Sequence, residues 1–583
     1  MLNLQGVPLS PGYASGPAVV YDPDIERWIE MPQRCISDSQ VATECDRLDD
    51  ALEHSAHDLK QLESSASAKA GPVVSTAVMS AQSIMAGDIA KLVKQHIGHE
   101  LVNVEQALQA VVSEFASRFA EMENSYFRDR EQDVRDVGRR LMRHLIGASP
   151  QTNKPLAAGA VIVARELLPS ETVELAKSGI VAIVSEFGGE FSHTAILARS
   201  LGIPAITGIA GAISQVKPGM RLLVNGESGR VIEPSQSDIH EFAIAKLEYE
   251  NRMSLIAMDD HLPSVTVDGV DVCLRGNVCL PAEVAAVEEH HLAGVGLFRT
   301  EFLFIESHDR PSFDLQVETY SEIARSVGNL PLVIRTYDLG GDKLPPFLVS
   351  ECSKATSSIH LRGLRFSLAE RDLMETQLRA ILQAAQLSDI RILFPMIIGS
   401  DDFARAILAV DKVAENLGVP RRPPVGAMLE TPAALFALDE ILELADFAAV
   451  GTNDLTQYLL ASDRTLAHGT DDCSAMHPAV LRAIKKIVEA AEVRKCPLCV
   501  CGEEAGNPDF ACLLVGLGVR ELSMTPARSA NVRNALRRMD SRVAAEIANR
   551  ALLCRSPQQV RSLCREFANG AESSAPPGTL STK

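Results

Sequence analysis

A single histidine follows a glycine pair in the segment GGEFSHTAILARS, residues 188–200. The glycines end the apolar run GIVAIVSEF, and Ser192 is a good N-cap for a helix predicted over residues 194–201. His193 would then lie at a helix N-terminus, where free backbone N–H groups and the helix dipole favour an anion over a protonated imidazole. The pattern predicts a neutral, nucleophilic histidine whose phosphorylated form is stabilised. The alternative is a surface histidine that only forms hydrogen bonds.

Other candidate residues close short apolar runs in the later part of the chain. After residue 260, eight such runs alternate with helical stretches, which is the pattern of a (β/α)₈ barrel. In that architecture the active site lies at the carboxyl ends of the strands, so the polar residues that end the runs are functional candidates. They are Asn277, Arg299, Arg335, Glu430, Asn453, Asp454, Cys501 and Glu503.

The types of these residues indicate a chemistry. Arginine and asparagine hold phosphate or carboxylate groups through forked or amide hydrogen bonds. Glu430 and Asp454 offer the hard oxygen ligands that Mg²⁺ takes. For any single arginine and carboxylate the alternative is a salt bridge at the rim. Agreement among several strand ends instead predicts a site for a small, phosphorylated, anionic substrate.

The elements that would position His193 lie in the first half of the chain. Helical spacing predicts a bundle of about four helices, with stretches near residues 41–62, 74–97, 103–122 and 129–146. Strand patterns precede this bundle and return after it in AVIVA and GIVAIVSEF. The order predicts an α/β domain interrupted by a helical insertion. A charged helix then links this domain to the barrel.

Composition excludes several classes of protein. The chain has 583 residues, 46% of them hydrophobic, and its formal charge of −20 disfavours nucleic acid and anionic membranes as partners. No apolar run reaches the roughly 18 residues of a membrane span, and the N-terminus has no signal-peptide pattern. Most of the 12 cysteines lie in apolar segments, as buried thiols of a reducing compartment do. We therefore expect a cytoplasmic protein without membrane insertion.

One cysteine cluster resembles half of a zinc site. The segment CPLCVCGEE contains Cys496, Cys499 and Cys501. Structural zinc needs a fourth ligand at matching spacing, and neither a second CxxC nor an HxxxH lies nearby. We therefore expect thiols here rather than a zinc ion.

Six long motifs together resemble one known family. GGEFSHTAILARSLGIPAITG, GVGLFRTEFLF, VIRTYDLGGDK, GAMLETPAA, VGTNDLTQYLLASDR and CGEEAG are similar to the motifs of the bacterial enzyme I family, the phosphoenolpyruvate-protein phosphotransferases. The resemblance runs over residues 3–568. It implies transfer of the phosphoryl group of phosphoenolpyruvate to a histidine of the chain and then to the carrier protein HPr, with release of pyruvate. Sugar uptake would be served; a nitrogen-type regulatory phosphorelay is the alternative.

The resemblance also implies an architecture. The fold would be multidomain α/β, with a swivelling phosphohistidine α/β domain that carries a helical-bundle insertion, followed by a (β/α)₈ barrel of the TIM type. A homodimer through the barrel is implied as well. The expected segments are 1–30 and 147–235 for the phosphohistidine domain, 31–146 for the HPr-docking insertion, 236–260 for a helical linker, 261–568 for the phosphoenolpyruvate-binding barrel and 569–583 for a disordered tail.

The same resemblance assigns roles to individual residues. His193 would accept the phosphoryl group, and Cys501 would protonate the enolpyruvate carbon. Mg²⁺ would bind Glu430 and Asp454. The implied substrate ligands are Arg299, Arg335, Arg362, Asn453, Asp454 and Arg464.

The sequence departs from the family pattern in two places. Before Arg362 it has Thr356, Ser357 and His360 in place of the usual Asn-Pro and Gly, so we expect a differently shaped loop there. Beside His193 it has Glu190 and Phe191, whose charge and bulk bear on partner docking and rate.

Two other functions compete with this interpretation. A dikinase-type relative would need an ATP-binding domain, for which the chain has no room and no glycine-rich phosphate loop. A regulatory or binding protein without turnover would be favoured by the loss of a strand-end residue, and none is lost. The absence of an N-terminal sensory domain favours the general enzyme over the nitrogen-type relay.

Overall fold

The chain forms two compact units in the computed structural model, Met1–Met253 and Ser254–Lys583, and each is described by itself. The described residues are 2–21, 34–70, 72–120, 125–147, 158–188, 193–305, 310–340, 347, 361–462 and 473–574. Within them, every helix is too short or too polar to cross a lipid bilayer.

A mixed sheet organises the first unit. Its strands have the order β1-β8-β7-β3-β4-β5-β6-β2, and β3 to β6 are parallel. Central strands such as β4 and β5 are fully buried, as expected of parallel strands covered on both faces. The strands are β1 Asn3–Gln5, β2 Val7–Ser10, β3 Tyr13–Tyr21, β4 Val161–Ala164, β5 Ala182–Ser185, β6 Ala205–Thr207, β7 Arg221–Asn225 and β8 Arg230–Ile232.

Four long helices interrupt this sheet between β3 and β4, which confirms the predicted bundle insertion. Their apolar faces form a separate core that includes Leu48, Ile89, Leu108 and Val137. The helices are Val41–Ala70, Pro72–Glu100, Val104–Ala120 and Ser125–Leu145, after a 3₁₀ turn at Asp38–Gln40. The other helices of the unit are Pro169–Lys177, His193–Ser200, Ala212–Gln215 and Gln236–Asp259, the last of which ends in the second unit.

A closed eight-stranded parallel barrel forms the second unit, as the alternating pattern predicts. All eight apolar runs of the sequence become its strands. They are β9 Cys273–Val278, β10 Val295–Arg299, β11 Leu332–Arg335, β12 Ile390–Phe394, β13 Val425–Leu429, β14 Phe447–Val450, β15 Leu498–Val500 and β16 Glu521–Met524.

Helices follow the barrel strands and cover the outside of the barrel with apolar faces. The α-helices are Ala285–Glu289, Phe302–Ile305, Phe313–Val327, Leu364–Ala369, Arg371–Ala384, Ser400–Asn416, Leu438–Leu444, Thr452–Leu460, Pro478–Arg494, Pro508–Leu517, Ser529–Arg538, Ser541–Leu553 and Pro557–Ser574. Short 3₁₀ helices occur at Pro281–Val284, Ala433–Phe436, Glu503–Gly506 and Pro526–Arg528.

The barrel interior is a packed core and not a pore. Its inward-facing layer is Leu297, Val333, Leu393, Met428, Phe447, Ala449, Cys499 and Cys501. Below this layer, Arg275 Nε lies 2.8 Å from Glu521 Oε1 in a largely buried ion pair. The residues at the carboxyl ends of the strands therefore stand on a close-packed floor, which limits their movement.

Two helix limits differ from the predictions. The helix after β5 is His193–Ser200, so it begins at the histidine itself and ends one residue early, and Ser192 lies outside the described residues. The helix Pro557–Ser574 continues into the segment 569–583, for which the small polar composition predicts disorder. Of its residues in the helix, Ala571 and Glu572 are good helix formers.

Candidate active site

The barrel brings the predicted strand-end residues to one rim. Arg299 is the last residue of β10 and Arg335 the last residue of β11. Glu430 and Cys501 directly follow β13 and β15. In a closed parallel barrel all carboxyl ends point the same way, so Arg299 and Glu503 become neighbours although they are 204 positions apart in sequence.

Arg299 is paired with a carboxylate from another strand end. Its Nη2 donates to Glu503 Oε1 at 2.7 Å, and the Glu503 N–H donates to Asn453 Oδ1 at 3.2 Å. Burial alone would lower the pKa of Arg299, but the Glu503 carboxylate more than offsets this and raises it above the ordinary value. Arg299 is therefore a permanent cation that carries its own counterion.

Arg335 has a similar arrangement with Glu301. Arg335 Nη2 donates to Glu301 Oε1 at 2.9 Å, and the backbone N–H of Asp338 donates to the same oxygen at 2.8 Å. Arg335 Nη1 lies 3.7 Å from the sulfur of Met428. Burial acts to lower the pKa of Arg335, and the carboxylates of Glu301 and Asp338 raise it overall.

Arg362 also reaches this rim, although the sequence before it departs from the family pattern. Its Nη2 donates to Asp338 Oδ2 and to Asp454 Oδ1, both at 2.9 Å, and its Nη1 donates to the Tyr458 hydroxyl at 2.8 Å. A β-bridge between Gly340 and Arg362 fixes the backbone at this point. Thr356, Ser357 and His360 lie outside the described residues, as do Glu190, Phe191 and Arg464.

Glu430 and Asp454 are the two acids to which the sequence assigns Mg²⁺. Glu430 is 1% exposed, and its Oε1 accepts a hydrogen bond from the Met396 N–H at 2.8 Å. Burial, and then the Asp454 carboxylate, raise the pKa of Glu430 well above its ordinary value. Two buried carboxylates that repel each other fit a small divalent cation, and Mg²⁺ commonly takes one or two carboxylates, waters and substrate oxygens. Within the described ranges no group of three or more His, Cys, Asp or Glu side chains could hold a metal ion by itself.

Cys501 is buried just below these charges. It is 1% exposed, its sulfur lies 3.5 Å from the Val450 carbonyl oxygen, and its own carbonyl accepts a hydrogen bond from Asn277 Nδ2 at 3.1 Å. Ser523 Oγ in turn donates to Asn277 Oδ1 at 2.6 Å. Burial, and then the Glu430 carboxylate, raise the pKa of Cys501 to about 12. The thiol therefore keeps its proton near neutral pH.

Gly502 lets β15 pass close to the neighbouring strand end. A Cβ at position 502 would lie 1.5 Å from Thr452 Oγ1 and 2.7 Å from Thr452 Cβ. Thr452 begins the helix Thr452–Leu460, which carries Asn453 and Asp454. The glycine therefore allows the start of the helix that carries these two residues to pack against the chain directly after Cys501.

The structure adds three residues that sequence reasoning does not identify. Glu301 and Asp338 pair with the rim arginines, and Tyr458 binds Arg362. Glu301 and Asp338 lie two and three residues beyond the last residue of β10 and β11, within the motifs RTE and RTYD. The sequence signal for these two acids is a carboxylate two or three residues beyond the arginine that ends the strand.

The residues predicted to accept and to donate the phosphoryl group belong to different units. His193 is in the first unit, where its backbone begins a helix, and the rim residues are in the second. The structure therefore describes the two halves of the predicted chemistry separately.

Comparisons with known proteins assign both halves to one family of enzymes. Family models described as PEP-utilising enzyme match in three parts: the N-terminal part at residues 5–130, the mobile domain at 156–229 and the PEP-binding domain at 254–541. The chain is 34% identical to the phosphoenolpyruvate-protein phosphotransferase of Enterococcus faecalis over 577 residues, which cover 97% of this chain and 99% of the relative. It is 32% identical to the enzyme of the same name from Geobacillus stearothermophilus over 572 residues, 97% of this chain and 98% of that one. A solution structure of an enzyme I protein matches 42% of this chain and 99% of its own, with 31% identity and a TM-score of 0.35.

We expect Cys501 to resist alkylation under native conditions, because its thiol is buried and its pKa is raised to about 12. Native protein treated with iodoacetamide between pH 7 and 9 should label Cys501 at least about 100-fold more slowly than the exposed Cys35, measured by peptide mass spectrometry. In denaturant the two cysteines should react at similar rates. Comparable rates in the native protein would show that Cys501 is an accessible or ionised thiol.

Proposed function

The chain belongs to the phosphoenolpyruvate-protein phosphotransferases, and from that premise we propose that it phosphorylates its own His193 from phosphoenolpyruvate. The phosphoryl group then passes to a histidine of an HPr-type carrier, and pyruvate is released. The observation that carries the proposal is the barrel rim. Three arginines, a buried thiol and the two carboxylates proposed to bind Mg²⁺ lie there. The relatives bear the name phosphoenolpyruvate-protein phosphotransferase, so we propose the enzyme of the phosphotransferase system that serves sugar uptake and not the nitrogen-type relay.

Substrate binding is assigned to the rim arginines. Phosphoenolpyruvate carries a phosphate and a carboxylate, and guanidinium groups bind both through paired N–H donors. Arg299 and Arg335 are charged and held in place at neighbouring strand ends, with Asn453 close by. Phosphoryl transfer needs in-line positioning and neutralised charge more than covalent help from the protein, and this rim supplies both. Arg362 and Arg464 complete the proposed ligand set.

Glu430 and Asp454 would hold Mg²⁺ in this scheme. When bound, the ion neutralises phosphoryl charge and polarises the leaving enolate oxygen. Arg362 donates to Asp454 Oδ1 at 2.9 Å, and the Met396 N–H donates to Glu430 Oε1 at 2.8 Å. These two contacts orient the two carboxylates.

In the proposed transfer, a neutral imidazole nitrogen of His193 attacks the phosphorus atom. The bond between phosphorus and the enol oxygen breaks, and its electron pair stays on that oxygen. The helix His193–Ser200 begins at this residue, so its first backbone N–H groups and its dipole stabilise the added phosphate. Since donor and acceptor sites belong to different units, His193 must be presented first to the rim and then to the carrier.

The proposed carrier surface is the four-helix insertion. This bundle has a core of its own. In the sequence it is inserted between β3 and β4 of the first unit, which also contains His193. A rigid surface next to the phosphorylated domain suits repeated docking of a small carrier protein. A homodimer through the barrel and a cytoplasmic location complete the proposal, on the family resemblance and on the free thiols of the described cysteines.

Cys501 is proposed as the acid that completes pyruvate formation. After the phosphoryl group leaves, the methylene carbon of the enolate takes the thiol proton, and the resulting thiolate regains a proton from water. A thiol whose pKa is raised to about 12 is fully protonated at neutral pH, and a thiolate of that basicity is quickly reprotonated. The alternative is a thiol that only fills space in the barrel core.

We expect phosphoenolpyruvate and Mg²⁺ to add one acid-labile phosphate to the chain, and the phosphate should map to His193. His193→Gln should abolish the label and leave the melting temperature within about 2 °C, because the substitution leaves the apolar core intact. Intact-protein mass and peptide mapping give the result. Labelling of the Gln variant at the normal level would refute the assignment of the acceptor.

We expect Cys501→Ala to slow pyruvate formation by about 100-fold or more, the usual contribution of a general acid, while phosphorylation of His193 is less affected. The measurement follows solvent deuterium at the pyruvate methyl group together with the phosphohistidine signal. Cys499→Ala is a matched control, because Cys499 is also a buried thiol of the barrel interior but lies within β15, two residues before Cys501. A Cys501 variant that melts several degrees lower yet forms pyruvate at the normal rate would identify a packing thiol.

A further inference from the structure

One buried carboxylate of the rim has no role in the scheme above. Glu301 lies two residues after Arg299 and is 8% exposed. We propose that Glu301 is a positioning residue for phosphoryl transfer, which holds the guanidinium of Arg335 in the orientation in which it meets the substrate. The proposal rests on the proposed function, since it assigns Glu301 a part in the same reaction.

The contacts of Arg335 show why its orientation depends on Glu301. The Nη2 to Oε1 hydrogen bond of 2.9 Å is charge-assisted and buried. On the other side, Nη1 has a weak contact of 3.7 Å with the Met428 sulfur. Arg335 Nε is buried and has no hydrogen-bond partner among the described residues. Glu301 is therefore the strongest restraint on the plane of the Arg335 guanidinium. The remaining N–H groups of this guanidinium can donate to a ligand.

Glu301 also fixes the backbone that follows Arg335. The oxygen that binds Arg335 Nη2 accepts the N–H of Asp338 at 2.8 Å as well. One carboxylate oxygen thus ties the arginine to the chain three residues further on. When Arg335 moves relative to this turn, at least one of the two hydrogen bonds is lost, so the pair acts as a two-point clamp.

Further hydrogen bonds connect this clamp to Asp454, one of the two acids proposed to bind Mg²⁺. The Asp338 carboxylate accepts from Arg362 Nε at 3.3 Å and from Arg362 Nη2 at 2.9 Å. The same Nη2 donates to Asp454 Oδ1 at 2.9 Å. A continuous series of hydrogen bonds therefore joins Glu301 to Asp454, so a shift of Glu301 displaces both a substrate arginine and a proposed metal ligand.

Positioning and charge neutralisation make different predictions at this residue. A glutamine side chain can present its carbonyl oxygen to Arg335 Nη2 and to the Asp338 N–H, so Glu301→Gln keeps the clamp and removes the charge. Glu301→Ala removes both. If Glu301 only balanced the charge of Arg335, the two variants would behave alike, and a more exposed positive charge would bind the anionic substrate more tightly.

The test uses the full chain and single-turnover phosphorylation of His193 by phosphoenolpyruvate with Mg²⁺. We expect Glu301→Ala to lower the maximum rate about 100-fold, the usual effect of misplaced catalytic groups, without a lower half-saturating concentration. Glu301→Gln should lose about tenfold, since a neutral acceptor forms a weaker hydrogen bond with a guanidinium. Asp402→Asn is the control, because Asp402 is a buried carboxylate of the helix Ser400–Asn416 whose hydrogen bonds within the described part of the chain come from backbone N–H groups, and it should stay within about twofold.

A double-mutant cycle decides whether Glu301 acts through Arg335. In an Arg335→Lys background, the loss caused by Glu301→Gln should shrink to about twofold or less. The proposal would be overturned by an undiminished tenfold loss in that background or by equal losses in the Gln and Ala variants. It would also be overturned if Glu301→Gln kept a normal maximum rate and showed a lower half-saturating concentration. If Glu301→Ala fails to fold, the double-mutant cycle with Glu301→Gln still tests whether Glu301 acts through Arg335. Failure of the unsubstituted chain to become phosphorylated refutes the proposed function itself, whereas a phosphorylated chain with one of the contrary results refutes only the role of Glu301.

Discussion

The structure of the rim depends on the pairing of each buried or partly buried arginine with a carboxylate from another part of the barrel. Glu503 holds Arg299, Glu301 holds Arg335, and Asp338 with Asp454 hold Arg362. Removing charges from water is costly, and only pairing with good geometry makes such a cluster tolerable. Among the described rim residues, these four carboxylates already outnumber the three arginines, and Glu430 is a fifth acid. This excess of acidic side chains is consistent with the proposal that a divalent cation binds there together with an anionic substrate.

Such pairing is possible because the barrel supplies fixed positions. Parallel strands that close on themselves bring their carboxyl ends together, and the layer of apolar side chains beneath them resists displacement. Where two strand ends come closest, Gly502 leaves space for Thr452. In the first unit, the helix that begins at His193 has free backbone N–H groups at its N-terminus, which favour a phosphate. In the proposed scheme, the barrel supplies the donor site and the first unit supplies the acceptor.

The sequence alone predicts the elements better than their cross-connections. All eight barrel strands follow from short apolar runs, and the helical insertion follows from its period, because both are local patterns. The ends of the apolar runs likewise point to Arg299 and Arg335, the last residues of their strands, and to Glu430 and Cys501, which directly follow theirs. The pairings of Glu301 with Arg335 and of Asp338 with Arg362 escape prediction, because they join residues 34 and 24 positions apart that meet only in the closed barrel. The start of the helix at His193 also differs from its prediction by one residue, the usual uncertainty of helix limits.

Binding of phosphoenolpyruvate to a chain that cannot be phosphorylated tests most directly whether the rim arginines hold the substrate. In the His193→Gln background, calorimetry with Mg²⁺ should show one site per chain. Adding Arg299→Ala or Arg335→Ala should raise Kd at least about tenfold, because each removes charge-assisted hydrogen bonds to the ligand. Arg422→Ala, which breaks exposed ion pairs with Asp411 and Asp446, should leave Kd unchanged. A Kd that stays within about twofold after loss of either rim arginine would contradict the account.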